Sequence, residues 1–72
     1  MLPIVSAALT IARCVKGYSI PEVATMAGIL PDHVFDAENF LEDAPFAAVW
    51  SIAHVLGVDL DAIQNSAAFS LQ

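Results

Sequence analysis

Cys14, His33 and His54 are the residues of this 72-residue chain best suited to bond-making or metal-binding chemistry. A thiolate beside an imidazole makes a nucleophile with its base, and a thiolate with two imidazoles is the start of a zinc site. Their spacing supports neither. Cys14 and His54 share no recognisable motif, and the histidines stand at ligand spacing neither from each other nor from Cys14. Asp59-Leu60-Asp61 lacks the glycine and the distal glutamate of a calcium loop. Eight carboxylates are present, but a chain this short offers no cleft deep enough to desolvate one and raise its pKa for acid–base work. No glycine-rich phosphate loop and no Ser-His-Asp order occurs. The expectation is a non-enzyme without cofactor or metal, in which Cys14 is a small buried hydrophobe. A pH role for His33 between Asp32 and Asp36 rests on position alone.

The chemistry that remains is recognition, and composition limits its partners. Hydrophobic residues make up 58% of the chain and charged residues 14%, with a net charge of −6 and only Arg13 and Lys16 basic. That balance argues against polyanionic partners such as nucleic acid or anionic lipid. A small chain this apolar exposes part of its apolar surface, which is the signature of a partner or a homodimer. A single cysteine forms no internal disulfide, which fits a reducing cytoplasm. The opening "MLPIVSAALTIA" has no basic flank and stops at Arg13. It is too short to span a bilayer and reads as a buried first helix rather than a signal peptide.

Local signals place the elements. Gly17, Gly28 and Gly57 each follow an apolar run, where a helix end favours glycine. Ser19-Ile20-Pro21-Glu22 is a capping box with proline in the first turn, and Tyr18 and Val23 stand as its hydrophobic staple. Asp43 is a candidate cap for a helix beginning at "APF", and Asp59 for one beginning at "LDAI". Helices are predicted over 4–16, 20–27, 31–39, 44–56 and 60–68, with no period-two alternation and hence no sheet. The chain reads as one all-α domain over 1–72, without repeat or linker.

The second helix, the Gly28 turn and the third helix follow a helix-turn-helix pattern. Over about residues 5 to 63 the chain resembles the Cro/C1-type (XRE-like) helix-turn-helix family. "SIPEVATMAGI" matches that family's second helix and turn, with Ala24 at the small packing position and Gly28 at the turn. "HVFDAE" matches the third helix, with Val34 and Ala37 inward. "FAAVWSIAHVLGVDLDAI" is the best match, with Phe46, Val49, Ile52, Ala53 and Leu56 inward. Leu9, Ala12, Arg13 and Gly17 keep the first helix in register. The resemblance implies a compact five-helix fold and a pairing of Arg13 with Glu38. Trp50 is expected in the core beside Phe46, with a groove-lining position as its alternative.

Departures from that pattern carry the functional expectation. DNA-binding members usually place glutamine where this chain has Ile20, and a hydroxyl residue where it has Leu30. The outward positions of the third helix are Asp32, His33, Phe35, Asp36 and Asn39, and the loop after it is Leu41-Glu42-Asp43. Residues 19–43 contain six acids (Glu22, Asp32, Asp36, Glu38, Glu42, Asp43) and no cation. Tight DNA binding uses about six to ten cation–phosphate contacts, which two cations per chain do not supply. An apolar centre of Ile20, Leu30, Phe35, Phe40 and Leu41 ringed by carboxylates has instead the anatomy of a protein interface. The expected partner is a DNA-binding transcription factor or other regulatory protein, bound by an antirepressor or antiactivator of the kind found in phages and mobile elements. The competing readings are a dimeric DNA-binding repressor, and a purely structural domain. In the latter, Phe35 and Phe40 are core and the acids a solvated face.

The C-terminal "QNSAAFSLQ" holds a second candidate surface. The family resemblance implies dimerisation through the last helix, here through Ala67, Ala68, Phe69 and Leu71; the alternative is a frayed tail over 66–72.

Overall fold

Ser19 begins the best-defined element of the chain. In the computed structural model, which describes residues 3–63, its hydroxyl accepts the Glu22 backbone N–H at 3.2 Å, while the Glu22 carboxylate accepts the Ser19 N–H at 2.9 Å. The capping box thus closes on itself, and helix α2 (Ile20–Ala27) follows with Pro21 in its first turn. It is preceded by α1 (Pro3–Lys16) and followed by α3 (Pro31–Asn39), a 3₁₀ turn over Leu41–Asp43, and α4 (Phe46–Leu56). A further helical turn begins at residues 60–63, where the Asp59 carboxylate accepts the Ala62 N–H at 3.0 Å. Among the described residues there is no strand, so the architecture is all-helical. The expected dimerisation stripe Ala67, Ala68, Phe69 and Leu71 lies outside the described residues.

Gly28 shows why the turn between α2 and α3 needs its residue. Its φ of +71° is left-handed, and its N–H and that of Ile29 turn back to carbonyls of the last turn of α2. A residue with a Cβ is strained there by about 1 kcal/mol. The same closure ends α1 at Gly17 and α4 at Gly57.

The core is built from one face of each helix. Val5 and Leu9 of α1, Val23 and Ala24 of α2, and Val34 and Ala37 of α3 meet Val49, Ile52, Ala53 and Leu56 of α4, with Leu60 closing one end. The sets of α1, α3 and α4 follow the i, i+3, i+4 spacing of a helix face, and on α2 Val23 and Ala24 do so together with the partly buried Ile20. Tyr18, the expected staple residue, packs partly buried against this cluster.

Four expectations need correction. Helix α4 begins at Phe46, not 44, and Asp43 does not cap it: Pro45 is the N-cap residue and makes no side-chain cap bond. The reason is local, since a residue before proline is disfavoured in the helical region, and Ala44 is extended at φ −77°, ψ 134°. Phe46 and Trp50, expected inside, are 62% and 38% exposed. They follow each other at i, i+4 beside the buried arc of Val49, Ile52, Ala53 and Leu56 rather than on it. Cys14 is exposed rather than buried. Helix α1 as a whole is not a buried helix, for Ile4, Ile11 and Val15 are exposed on it.

Candidate functional site

Helix α3 starts without a side-chain cap. Leu30 holds the N-cap position with extended backbone (φ −78°, ψ 148°), and its side chain is 61% exposed and accepts nothing. Pro31 occupies the first helical position, where its missing N–H costs no bond. Only the backbone closes this end, through His33 N–H to the Leu30 carbonyl at 3.0 Å. A helix start without a hydroxyl and with Asp32 in its first turn is poorly made for phosphate.

The other end of α3 turns an aromatic residue back onto the helix. Phe40 leaves the helical region (φ −135°, ψ 61°) while its N–H still reaches the Asp36 carbonyl at 2.7 Å. Its ring then lies against Phe35, centroids 5.9 Å apart and tilted by 48°. Both rings stay exposed, Phe35 by 47% and Phe40 by 55%. Asn39 is exposed beside them and donates its side-chain N–H to the Phe35 carbonyl at 3.0 Å.

Of the residues expected on this face, Leu30, Asp32, Phe35, Asn39 and Phe40 are exposed, with His33 and Asp36 half-buried. Two are corrected. Ile20 packs partly buried against the core, because it stands at i−3 and i−4 from the buried Val23 and Ala24. Leu41 likewise packs partly buried against the core from the 3₁₀ turn, leaving Glu42 and Asp43 outside. His33 presents a buried Nδ1 with no hydrogen-bond partner.

The backbone of this face is held to α1 by a polar seam. Arg13 Nε donates to Glu38 Oε2 at 2.8 Å and Nη2 to Glu38 Oε1 at 2.9 Å, while Nη1 donates to the Tyr18 carbonyl at 2.9 Å. The hydrogen bond to Glu38 raises the guanidinium's pKa, outweighing the opposing effect of burial. Thr10 donates to the same carboxylate at 3.1 Å and Ser6 to the Ala37 carbonyl at 2.7 Å. Ser6 and Thr10 were not singled out in the sequence, although with Arg13 they stand at i, i+4, i+7 on α1, a polar stripe on an apolar helix. The seam consumes one of the two cations, and no Lys or Arg follows residue 16.

A second apolar surface lies between α2 and α4. Met26, Ala27, Trp50, Ser51, His54 and Val55 line an open hollow of about 320 Å³. Phe46 extends it, its ring 5.9 Å from that of Trp50. The groove-lining alternative for Trp50 is therefore the one realised. The signal was available: Phe46, Trp50 and His54 recur at i, i+4, i+8 on one stripe of α4.

Among the described residues, no group of three or more His, Cys, Asp or Glu could hold a metal, and no helix is long and apolar enough to cross a membrane. No family model, curated protein or solved structure matches the chain.

Proposed function

We propose that this chain is a small transcription-regulatory protein that acts by protein–protein contact, binding a DNA-binding transcription factor or related regulator and inhibiting it. On this reading the domain is a Cro/C1-like helix-turn-helix body whose DNA-reading face has been converted into a protein-binding one. The carrying observation is that Leu30, at the start of α3, and the paired rings of Phe35 and Phe40 are all exposed, in a stretch whose other exposed residues include Asp32, Glu42 and Asp43. Aromatic anchors inside a charged rim are what protein interfaces use for affinity. The acids serve association rate and selectivity, drawing the face toward the basic surface of a DNA-binding protein. With no cation beyond Lys16, α3 has nothing to neutralise phosphate.

Affinity capture from the native host, followed by reconstitution from purified components, tests the proposal. The native chain is expected to form a complex with a DNA-binding regulator and to displace it from its operator, and Phe35→Asp is expected to lose both effects while keeping the native circular dichroism. Saturable, sequence-dependent binding of the chain itself to duplex DNA through residues 30–40 would overturn it in favour of a DNA-binding repressor.

A further inference from the structure

Helix α1 is apolar on two opposite faces. Val5 and Leu9 are fully buried in the core. On the far side Ile4, Ala7, Ile11, Cys14 and Val15 are all exposed, Ile4 by 52%, Ile11 by 62% and Val15 by 81%. A second apolar face on a helix normally has its own cover, and among the described residues nothing covers this one. The positions of Ile4, Ala7, Ile11 and Cys14 advance by three, four and three residues. That is the a/d repeat by which one helix packs along another.

We propose that this face pairs with the same face of a second copy, α1 against α1 in antiparallel orientation about a two-fold axis near Leu9. Register and charge both select this occupant. Around residue 9 the seam is self-complementary: Ile4 falls opposite the partner's Cys14, and Ala7 opposite the partner's Ile11. Each large side chain meets a smaller one, as interdigitated packing requires, whereas a parallel pair would set Ile4 on Ile4 and Ile11 on Ile11. All eight carboxylates lie at Glu22 or beyond and none on α1. Two molecules of net charge −6 thus meet where neither carries an acid, and the acidic face of α3 stays free on each. Lipid is a poor alternative occupant, because the same net charge opposes an anionic bilayer surface. Antiparallel alignment also sets unlike ends of the two helix dipoles side by side.

Fourteen helical residues span about 21 Å. A seam of that length falls short of the roughly 800 Å² per partner of a standard interface. The dimer is therefore concentration-dependent.

Sedimentation equilibrium of the full chain between about 10 µM and 1 mM is expected to show a monomer–dimer equilibrium, with Ile11→Asp weakening it at least tenfold. Because Ile11 is exposed, the variant keeps its fold by circular dichroism. Cysteine trapping tests the register. Ile4→Cys with native Cys14 is expected to give a covalent dimer on mild oxidation. The native chain is not, since its two Cys14 residues lie about 15 Å apart along the paired helices, beyond the ~7 Å reach of a disulfide. A chain that stays monomeric throughout, a dimer indifferent to Ile11→Asp, or rapid Cys14–Cys14 linkage in the native chain would each overturn the proposal.

Discussion

Arg13 and Glu38 form a two-pronged ion pair that ties the last turn of α1 to the last turn of α3, at 2.8 and 2.9 Å. The side chains are only 17% and 4% exposed. Most surface ion pairs contribute little, because water competes and two long side chains must be ordered. This one is largely shielded, its geometry matches the guanidinium fork, and Thr10 satisfies a further acceptor position on the carboxylate.

Removing one partner should therefore cost more than removing both. Arg13→Met strands a nearly buried carboxylate and is expected to lower unfolding stability by about 3 kcal/mol. The double variant Arg13→Met with Glu38→Leu is expected to recover at least half of that loss. Urea denaturation of the two variants and the native chain checks the order, and a double variant less stable than Arg13→Met would contradict it.

Leu30 offers a separation of stability from function. It holds an N-cap backbone conformation with no capping group, so Leu30→Ser supplies the missing acceptor. The expected gain is about 0.5–1 kcal/mol, seen as a higher melting temperature. The same change removes an exposed apolar side chain and, on the proposed function, is expected to weaken binding of a regulator.

Leu9 and Val15 test the two faces of α1. Leu9 is fully buried and Val15 is 81% exposed. Leu9→Ala is expected to cost about 3 kcal/mol through lost burial and a residual cavity. Val15→Ala should stay within about 0.5 kcal/mol when measured on the dilute monomer. Chemical denaturation at low protein concentration reads both.

Glu22 gives the chain a predictable acid response. Its hydrogen bonds from the Ser19 backbone and hydroxyl hold its carboxyl below the ordinary value of 4.5. A carboxyl with a lowered folded-state pKa adds stability that is present above the unfolded-state pKa and disappears as pH falls through the folded one. Glu22→Ala should therefore be less stable than the native chain at pH 7, and the gap should narrow at a pH below that lowered value. Thermal melts at the two pH values measure it.

How much could be read in advance depended on how local the deciding interaction was. Ser19, Glu22 and Asp59 satisfy backbone groups three residues away, and Gly17, Gly28 and Gly57 end helices by backbone freedom alone, so these were legible. Even the late start of α4 was written in the chain, because Pro45 constrains Ala44; Asp43 was simply the more conspicuous signal. Ile20 and Leu30 show the opposite case. Both are branched aliphatics flanking short helices of one motif, yet Ile20 turns onto the core and Leu30 is left outside. Cys14, Phe46 and Trp50 were misplaced for a related reason: on α1 and α4 apolar residues surround most of the helix, and periodicity no longer marks a single inner face.

By itself, the sequence determined the helical character, most helix ends and the absence of cations after Lys16. Each follows from short-range bonding or from residue type, which survive without knowledge of the neighbours. Only the tertiary structure decided which apolar residues are covered, because a helix with more apolar surface than its core can accept must leave some of it open. Which side remains open is set by how the other helices dock. That choice exposed the Phe35–Phe40 pair, the Trp50 hollow and the outer stripe of α1.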